Sequence, residues 1–215
     1  MSMKVCVIGL GRFGYNVATT LAQKNVEVIA VDKEESLVAS IRDSVTQALC
    51  MDIYNQYDLQ SIGVEDVDLV IVCMGKNFDQ TILMTALLKK RLHVKRVISR
   101  AINSIHQEIL TLIGADETVI PEKSVGIALA ERISSQFQQY IKITKNFHII
   151  ECQTPKDFIH QSIESIDFYT TYHVTLVGIK KDDEALSVPQ DYIIEPDDIL
   201  ILAGTEANLK KIVKK

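Results

Sequence analysis

A glycine-rich turn near the N-terminus has the residue types that bind a diphosphate. Residues 9–14 read Gly-Leu-Gly-Arg-Phe-Gly, which is the G-x-G-x-x-G spacing. In such a turn the first glycine permits a tight bend, the second lets backbone N–H groups approach a diphosphate, and the third lets the following helix pack closely on the strand. The helix N-terminus adds unpaired N–H groups and roughly half a positive charge. The turn can therefore hold nucleotide phosphates at Gly9, Gly11 and Gly14.

The segments around this turn make the interpretation more specific. An apolar run, Val5–Ile8, predicts a buried strand before the turn, and helical spacing of apolar residues follows it. A second apolar run, Val26–Val31, predicts another strand that stops at Asp32. An acid there can accept hydrogen bonds from both ribose hydroxyls and repels a 2′-phosphate, so NAD, ADP or ATP is favoured over NADP. The alternative is a strand–turn–helix unit that binds nothing, with Asp32 capping the next helix.

Composition limits the class of protein. The chain has 215 residues, of which 47% are hydrophobic, and a formal net charge of −5. It exceeds one typical domain of about 100–150 residues. The absence of a Lys/Arg cluster argues against nucleic-acid binding, and the absence of an apolar stretch of ~18 residues argues against direct membrane insertion. Most of the cysteines lie at or within apolar strands and none form a C-x-x-C pair, which indicates reduced, buried thiols (Cys6, Cys50, Cys73 and Cys152).

Strands and helices alternate over about the first 120 residues, which predicts a parallel sheet with helices on both faces. The strands predicted after the first two are Gln47–Met51, Asp68–Gly75, Arg96–Ser99 and Thr118–Ile120. The helices predicted after the first are Glu34–Arg42, a short one through Leu59 and Ile62, Asn77–Arg91, Ser104–Ile113 and Glu122–Gln139. The last of these carries more apolar surface than a solvent-facing helix needs. It packs against another subunit or a second domain, or it covers its own sheet.

The pattern changes after residue 145, where a second and smaller domain is expected. Apolar runs predict three strands, helical turns over residues 155–166 and a closing helix (strands Phe147–Gln153, Tyr172–Lys180 and Ile199–Ala203; helix Thr205–Val213). This pattern is typical of a small α+β module. We therefore predict an α/β fold, a Rossmann-like doubly wound parallel sheet followed by a small α+β C-terminal domain, divided into residues 1–138 and 139–215.

Catalytic groups are not evident beside the predicted nucleotide site. A nicotinamide dehydrogenase needs a proton-relay residue and groups that position its substrate. The five histidines form no recognisable constellation, and we expect His93 and His106 on polar helix faces. A nucleotide site without such groups suggests sensing rather than turnover. The alternative is a small NAD-dependent oxidoreductase whose catalytic groups meet only in the folded chain.

The motifs together resemble the RCK/KTN (TrkA-N/TrkA-C) family, specifically the soluble Trk/Ktr-type potassium-uptake regulatory subunits. The resemblance runs nearly end to end and is carried by Val5–Asp32, Val70–Gly75, Gly114-Ala115-Asp116, Pro121-Glu122-Lys123 and Pro196-Asp197-Asp198 with Gly204. It implies a cytoplasmic, non-enzymatic gating subunit, held at the inner face of the cell membrane by a membrane-embedded potassium-translocating partner. It also implies a homodimer that assembles into an octameric ring, whose shape changes with bound ATP, ADP or NAD(H).

The resemblance assigns roles to single residues. Asp52 matches a position near the adenine, and Arg12 matches an arginine that reaches a terminal phosphate on a neighbouring subunit's nucleotide. Arg100 matches a basic residue facing the phosphates, and Glu122 a carboxylate that can hold a divalent cation, Mg²⁺ or Ca²⁺. The structural alternatives are solvated arginines, an N-cap at Asp52, and an acid at Glu122 favoured by the helix dipole. The remaining expected nucleotide-binding residues are Phe13, Lys33, Met74 and Gly75.

The C-terminal module departs from the family pattern at one ligand site. Some members bind cyclic di-AMP at a dimer interface, using a strand that ends in an arginine and a following proline. Here the strand ends in Lys180-Lys181, while Pro189 is retained. A lysine cannot supply the planar two-pronged contact of an arginine, which counts against that ligand.

Overall fold

The computed structural model describes residues 2–75, 78–134 and 139–213. The chain divides into two compact units, Met1–Val125 and Gly126–Lys215. The boundary between them falls inside a helix, Pro121–Ser134. The sequence predicted a domain boundary between residues 138 and 139. Residue 138 is outside the described residues, so this boundary stays a prediction.

The first unit is built on a parallel sheet, as the alternation of strands and helices predicted. Its strands within the described residues are Lys4–Ile8 (β1), Glu27–Asp32 (β2), Gln47–Cys50 (β3), Leu69–Val72 (β4), Val97–Arg100 (β5) and Glu117–Val119 (β6). The strand order is β3-β2-β1-β4-β5-β6, and each neighbouring pair is parallel. This is the Rossmann-like doubly wound order, in which the direction of winding reverses between β1 and β4.

Helices cover this sheet and connect its strands. They are Arg12–Gln23 (α1), Glu35–Ile41 (α2), Gln56–Ile62 (α3), Phe78–Ala86 (α4) and Ser104–Leu112 (α5). A further helix, Pro121–Ser134 (α6), follows β6, and most of its described residues are exposed. Alternate residues of the same strands enter two different apolar clusters. Cys6, Ile8, Val70 and Val72 belong to one, and Val5, Val7, Leu69 and Ile71 to the other. Both faces of the sheet are therefore buried, which is why β1 and β4 read as continuous apolar runs.

Two predicted elements end earlier than expected, and a third changes its helix type. The strand predicted over Asp68–Gly75 ends at Val72. The helix predicted over Asn77–Arg91 is α-helical only to Ala86 and then π-helical over Leu87–Arg91, and its predicted first residue lies outside the described residues. The helix predicted to reach Gln139 ends at Ser134 in the described part, and Gln139 begins a strand. Antiparallel pairing with the next strand decides the conformation of that residue, against the local helical pattern.

The second unit is a small α+β module, also as predicted. Its strands are Gln139–Lys142 (β7), Phe147–Gln153 (β8), Val174–Lys181 (β9), Glu184–Leu186 (β10) and Ile199–Thr205 (β11), and its helices Ile163–Ile166 (α7), Phe168–Tyr172 (α8) and Glu206–Val213 (α9). The strands form an antiparallel sheet in the order β10-β9-β11-β8-β7. The sequence did not predict β7, β10 or α8. Within the described residues, none of the helices combines the length and apolar character needed to cross a lipid bilayer.

Candidate functional site

The loop from β1 to α1 has a shape that requires glycine at two positions. Gly9 has a φ of +95°, a left-handed conformation that strains other residues. A Cβ atom on Gly14 would lie 1.8 Å from the backbone oxygen of Gly9. Gly14 therefore lets α1 approach the loop closely, which is the packing role predicted for it.

Gly11 leaves open space where a diphosphate is predicted to bind. A Cβ atom built on Gly11 would have no neighbouring atom within 4 Å. Gly11 is the N-cap residue of α1, no side chain caps this helix, and its first turn contains no acid. The first three N–H groups of an α-helix have no partner inside the helix, so those of Arg12, Phe13 and Gly14 are available to an anion. The loop and the helix terminus together form an anion-binding cradle.

The carboxylate of Asp32 forms hydrogen bonds with both the loop after β1 and the segment after β2. Its Oδ2 atom accepts a hydrogen bond from the backbone N–H of Leu10 at 2.6 Å, and its Oδ1 atom accepts one from the backbone N–H of Glu34 at 2.9 Å. Each carboxylate oxygen has a second lone pair, so Asp32 retains acceptor capacity for ribose hydroxyls. The alternative that Asp32 only caps the next helix is incomplete, because the same carboxylate also fixes the glycine loop.

These residues line one cavity of about 1300 Å³ in the first unit. It opens at the carboxyl ends of the strands, beside the point where the winding reverses, which is where nucleotides bind in open α/β sheets. All of the predicted site residues except Gly14 line it: Gly9, Gly11, Arg12, Phe13, Asp32, Lys33, Asp52, Met74, Gly75, Arg100 and Glu122. The structure thus brings together residues that lie at, or shortly after, the carboxyl ends of all six strands β1–β6.

The cavity also has lining residues that the sequence analysis missed. Tyr15 and Asn16 lie on α1 one turn after the glycine loop, while Met51 and Ile53 flank Asp52. Helical spacing of three to four residues from Arg12 was a signal that could have identified the first two. For the other two, the position beside Asp52 at the end of a strand was the available signal.

Arg100 is not a solvated side chain at the end of a strand. Only 18% of its side chain is exposed, and its Nη2 atom donates a hydrogen bond to Oε1 of Glu122 at 2.5 Å. Its guanidinium carbon lies 5.7 Å from the centroid of the Phe13 ring, within cation–π distance. A Cβ atom on Gly75 would lie 2.3 Å from Nη1 of Arg100, so the missing side chain leaves room for the guanidinium.

Glu122 lies in the first turn of α6, and its side chain is 66% exposed. A hydrogen bond from its own backbone N–H, together with the nearby Arg100 guanidinium, lowers the pKa of Glu122 below its ordinary value. The carboxylate is therefore ionised at neutral pH. Across the described ranges, no group of three or more His, Cys, Asp or Glu side chains could hold a metal ion. A cation at Glu122 would need further ligands from a nucleotide or from a second subunit.

Asp52 and Arg12 differ in how firmly they are held. The Oδ2 atom of Asp52 accepts a hydrogen bond from the Tyr54 hydroxyl at 2.5 Å, and this bond raises the pKa of Tyr54. Asp52 is not the N-cap of α3, because Asn55 caps that helix in a capping box with Asp58. Arg12 is an exposed residue at the first position of α1.

Two expectations about buried and exposed side chains were wrong. His106, expected on a polar helix face, is fully buried, and burial lowers its pKa. Its ring packs 4.4 Å from that of Phe78, and its Nδ1 atom accepts a hydrogen bond from the Ile102 N–H. Cys50 is exposed, whereas the other cysteines are buried and burial raises their thiol pKa to about 12 for Cys6 and Cys73 and about 11 for Cys152.

Family models and known proteins match the chain over nearly its whole length. The TrkA-N domain matches residues 5–121, and the TrkA-C domain matches residues 148–215. Ktr system potassium uptake protein C of Bacillus subtilis (strain 168) is 30% identical over 217 residues, which cover 100% of this chain and 98% of that protein. Ktr system potassium uptake protein A of the same organism is 31% identical over 207 residues, 95% of this chain and 93% of that protein.

A solved structure, the GsuK channel bound to NAD, shares the fold. Its TM-score with this chain is 0.55 at 22% sequence identity, and the alignment covers 99% of this chain. The chain spans 38% of the length of that channel chain. The likeness supports the order of strands and helices described above.

Proposed function

This chain belongs to the family of proteins built from a TrkA-N and a TrkA-C domain, and on that premise we propose that it is a regulatory subunit of a Trk/Ktr-type potassium channel or transporter. It binds an adenine nucleotide in the cavity of the first unit and couples the nucleotide state to the shape of its assembly. Full-length similarity to Ktr system potassium uptake proteins supports the potassium-transport role.

The arrangement of Gly11, the α1 N-terminus and Asp32 is the observation that carries nucleotide binding. Open space at Gly11 and the free N–H groups of α1 suit a diphosphate. Asp32, held by two backbone N–H groups, retains lone pairs for ribose hydroxyls. Asp52, Met51 and Ile53 line the cavity farther from the loop and would contact the adenine. ATP, ADP and NAD(H) share this adenosine diphosphate part, so each is a candidate ligand.

Arg12 and Glu122 are the residues through which ATP and ADP would differ. ATP adds a terminal phosphate, whose charge requires a cationic partner. Arg12 is exposed at the start of α1 and would meet that phosphate on a neighbouring subunit's nucleotide. Glu122 supplies one carboxylate toward Mg²⁺ or Ca²⁺ at the same place. A ligand shifts an equilibrium between two ring shapes only by its difference in affinity for them, and the terminal phosphate would provide that difference.

The assembly and its partner follow from the same family membership. We propose homodimers that form an octameric ring on a membrane-embedded potassium-translocating subunit, at the cytoplasmic face of the membrane. Residues 139–215 form the second domain of each subunit in this proposal. Exposed apolar side chains on α6, Val125, Leu129 and Ile133, provide surface for contact between subunits.

An NAD-dependent oxidoreductase is less well supported. Among the described residues that line the cavity there is no histidine, and His106 is buried elsewhere. The full-length relatives are named as potassium uptake proteins. We therefore propose that the chain is not an enzyme.

Identification of the ligand that co-purifies with the protein tests the proposal. The protein is purified without added nucleotide and its assembly mass is measured. It is then denatured, and the released small molecule is identified by chromatography and mass. We expect ATP, ADP or NAD(H) from a multi-chain assembly. A monomer that releases NAD and exchanges hydride with a substrate would support the oxidoreductase instead. A protein that neither releases nor binds an adenine nucleotide would contradict nucleotide regulation.

A further inference from the structure

Residues that follow three of the strands converge on the guanidinium of Arg100 at the carboxyl end of the sheet. Phe13 lies in the first turn of α1, after β1, Gly75 follows β4, and Glu122 lies in the first turn of α6, after β6. The ring of Phe13 faces the guanidinium, Gly75 leaves room for it, and Glu122 accepts its hydrogen bond. Arg100 therefore lies in a slot that fixes its position beside the anion-binding cradle.

The two members of the Arg100–Glu122 pair are held unequally. The side chain of Arg100 is 18% exposed, whereas that of Glu122 is 66% exposed. Exposed ion pairs contribute little to stability, because water competes for both charges. Of the two groups, Glu122 is thus the one that can leave the pair at low cost.

In the described part of the chain, the bond to Glu122 also leaves one hydrogen-bond donor of the Arg100 guanidinium without an acceptor. The Nε atom of Arg100 is buried and has no hydrogen-bond acceptor among the residues described by the structure. An arginine can donate two parallel hydrogen bonds to a phosphate, and a phosphate carries more charge than a carboxylate. A phosphate group is therefore a stronger partner for Arg100 than Glu122 is.

We infer that Glu122 occupies Arg100 while no phosphate reaches it, and that a nucleotide phosphate displaces Glu122 and releases the first turn of α6. The inference rests on the proposed function, because it requires a nucleotide in this cavity. It assigns Glu122 a role within a single chain, as an internal competitor for the phosphate partner. Through this exchange, phosphate binding is transmitted to the helix in which the boundary between the two units falls.

A double-mutant cycle with ADP as the probe tests the exchange. ADP binding to the full chain is measured by calorimetry with EDTA present, so that no divalent cation contributes. We expect Glu122→Gln to tighten ADP binding by about 2- to 5-fold, because it removes the competitor. Arg100→Gln should weaken ADP binding, and adding Glu122→Gln to it should restore nothing. Arg100→Lys, which keeps the charge, serves if Arg100→Gln does not fold.

Glu117→Gln is the matched control. Glu117, the first residue of β6, forms an ion pair at 3.1 Å with Arg96, which immediately precedes β5. Neither residue lines the cavity. This variant removes the same charge and should bind ADP like the unaltered protein. Adenosine, which has no phosphate, should bind the Glu122→Gln variant and the unaltered protein equally.

Amide hydrogen exchange gives a second measurement. We expect ADP to raise exchange at Ser124, whose N–H donates to the Ile120 carbonyl across the first turn of α6 in the unaltered protein, and the Glu122→Gln variant to show the raised exchange without ADP. The inference is overturned if Glu122→Gln leaves ADP binding unchanged or weakens it, or tightens it equally when Arg100 is replaced. If the unaltered protein binds no adenine nucleotide at all, the proposed function fails as well.

Discussion

Two arginines line the cavity in different surroundings. Arg100 is mostly buried, stacked on Phe13 and bonded to Glu122. Arg12 is exposed at the first position of α1. A buried, oriented arginine suits a phosphate of the same chain's nucleotide, whereas an exposed one can reach a group outside its own chain. We therefore propose that the two residues bind different phosphates.

Replacement of Arg12 tests its assignment to a terminal phosphate. We expect Arg12→Ala to weaken ATP binding by about 10- to 100-fold, because a hydrogen bond to a charged group contributes about 1.5–3 kcal/mol, and to change ADP binding little. Arg96→Ala removes a cation that does not line the cavity, and serves as the control. Affinities for both nucleotides are measured by calorimetry on the assembled protein. An unchanged ratio of ATP to ADP affinity would rule out this role.

Substitutions at Gly11 and Gly14 are expected to affect different properties, nucleotide binding at Gly11 and stability at Gly14. A Cβ at position 14 would overlap the backbone oxygen of Gly9, so Gly14→Ala should lower the free energy of unfolding by roughly 3 kcal/mol. Position 11 is open and its φ of −59° is accessible to alanine. Gly11→Ala should therefore change stability by less than about 1 kcal/mol yet weaken nucleotide binding about tenfold or more, because its methyl group occupies the diphosphate space.

Denaturant unfolding and nucleotide titration of both variants check this pair. Equal stability of the Gly14→Ala variant and the unaltered protein would show that the close approach of α1 is dispensable. Unchanged nucleotide affinity in the Gly11→Ala variant would show that the phosphates bind elsewhere.

At the scale of elements, strongly patterned segments were predictable from the sequence. The glycine turn with its flanking strands was found because Gly9 and Gly14 are required by backbone geometry and β1 is buried on both faces. Short elements without such a pattern were missed. Each of the three residues of β10, Glu184–Leu186, is exposed, so only its antiparallel pairing with β9 makes it a strand. Asp167 is the N-cap residue of α8, and its side chain accepts a hydrogen bond from the backbone N–H of Thr170.

The slot around Arg100 could not be predicted in the same way. Arg100 and Glu122 are 22 residues apart, and Phe13 lies in the first turn of α1, near the start of the unit's sequence. Their contact depends on the order of the parallel strands, which places the ends of β1, β4, β5 and β6 at one edge of the sheet. The family resemblance pointed to a basic group near phosphates but not to its partners.

The helix α6 is the element expected to join subunits. Its residues Val125, Leu129 and Ile133 recur every four positions, and each is at least 45% exposed. We expect Ile133→Glu to lower the assembly mass measured by light scattering, because burying an unpaired charge in an apolar contact is costly. Tyr57→Glu, at a 75% exposed position of α3, is the matched control and should leave the mass unchanged. Equal masses for both variants and the unaltered protein would place the subunit contact elsewhere.

At the scale of the whole molecule, a cavity in one unit and a second unit with its own core are consistent with the proposed sensor. The first unit contains the cavity, and the second has an independent apolar cluster that includes Ile150, Leu200 and Leu202. The chain belongs to the TrkA-N/TrkA-C family, and its full-length relatives include a Ktr system potassium uptake protein. Regulation then requires that the nucleotide changes the arrangement of subunits. A nucleotide with equal affinity for two arrangements would not shift the equilibrium between them.

Small-angle X-ray scattering of the assembled protein measures that change directly. Curves are recorded with saturating ATP and with saturating ADP, for the unaltered protein and for Arg12→Ala at matched concentration. We expect the two nucleotides to give different radii of gyration for the unaltered protein, and the difference to disappear in the variant because the terminal phosphate has lost its partner. Identical curves in ATP and ADP, with both nucleotides shown to be bound, would contradict the claim that the nucleotide state sets the shape of the assembly.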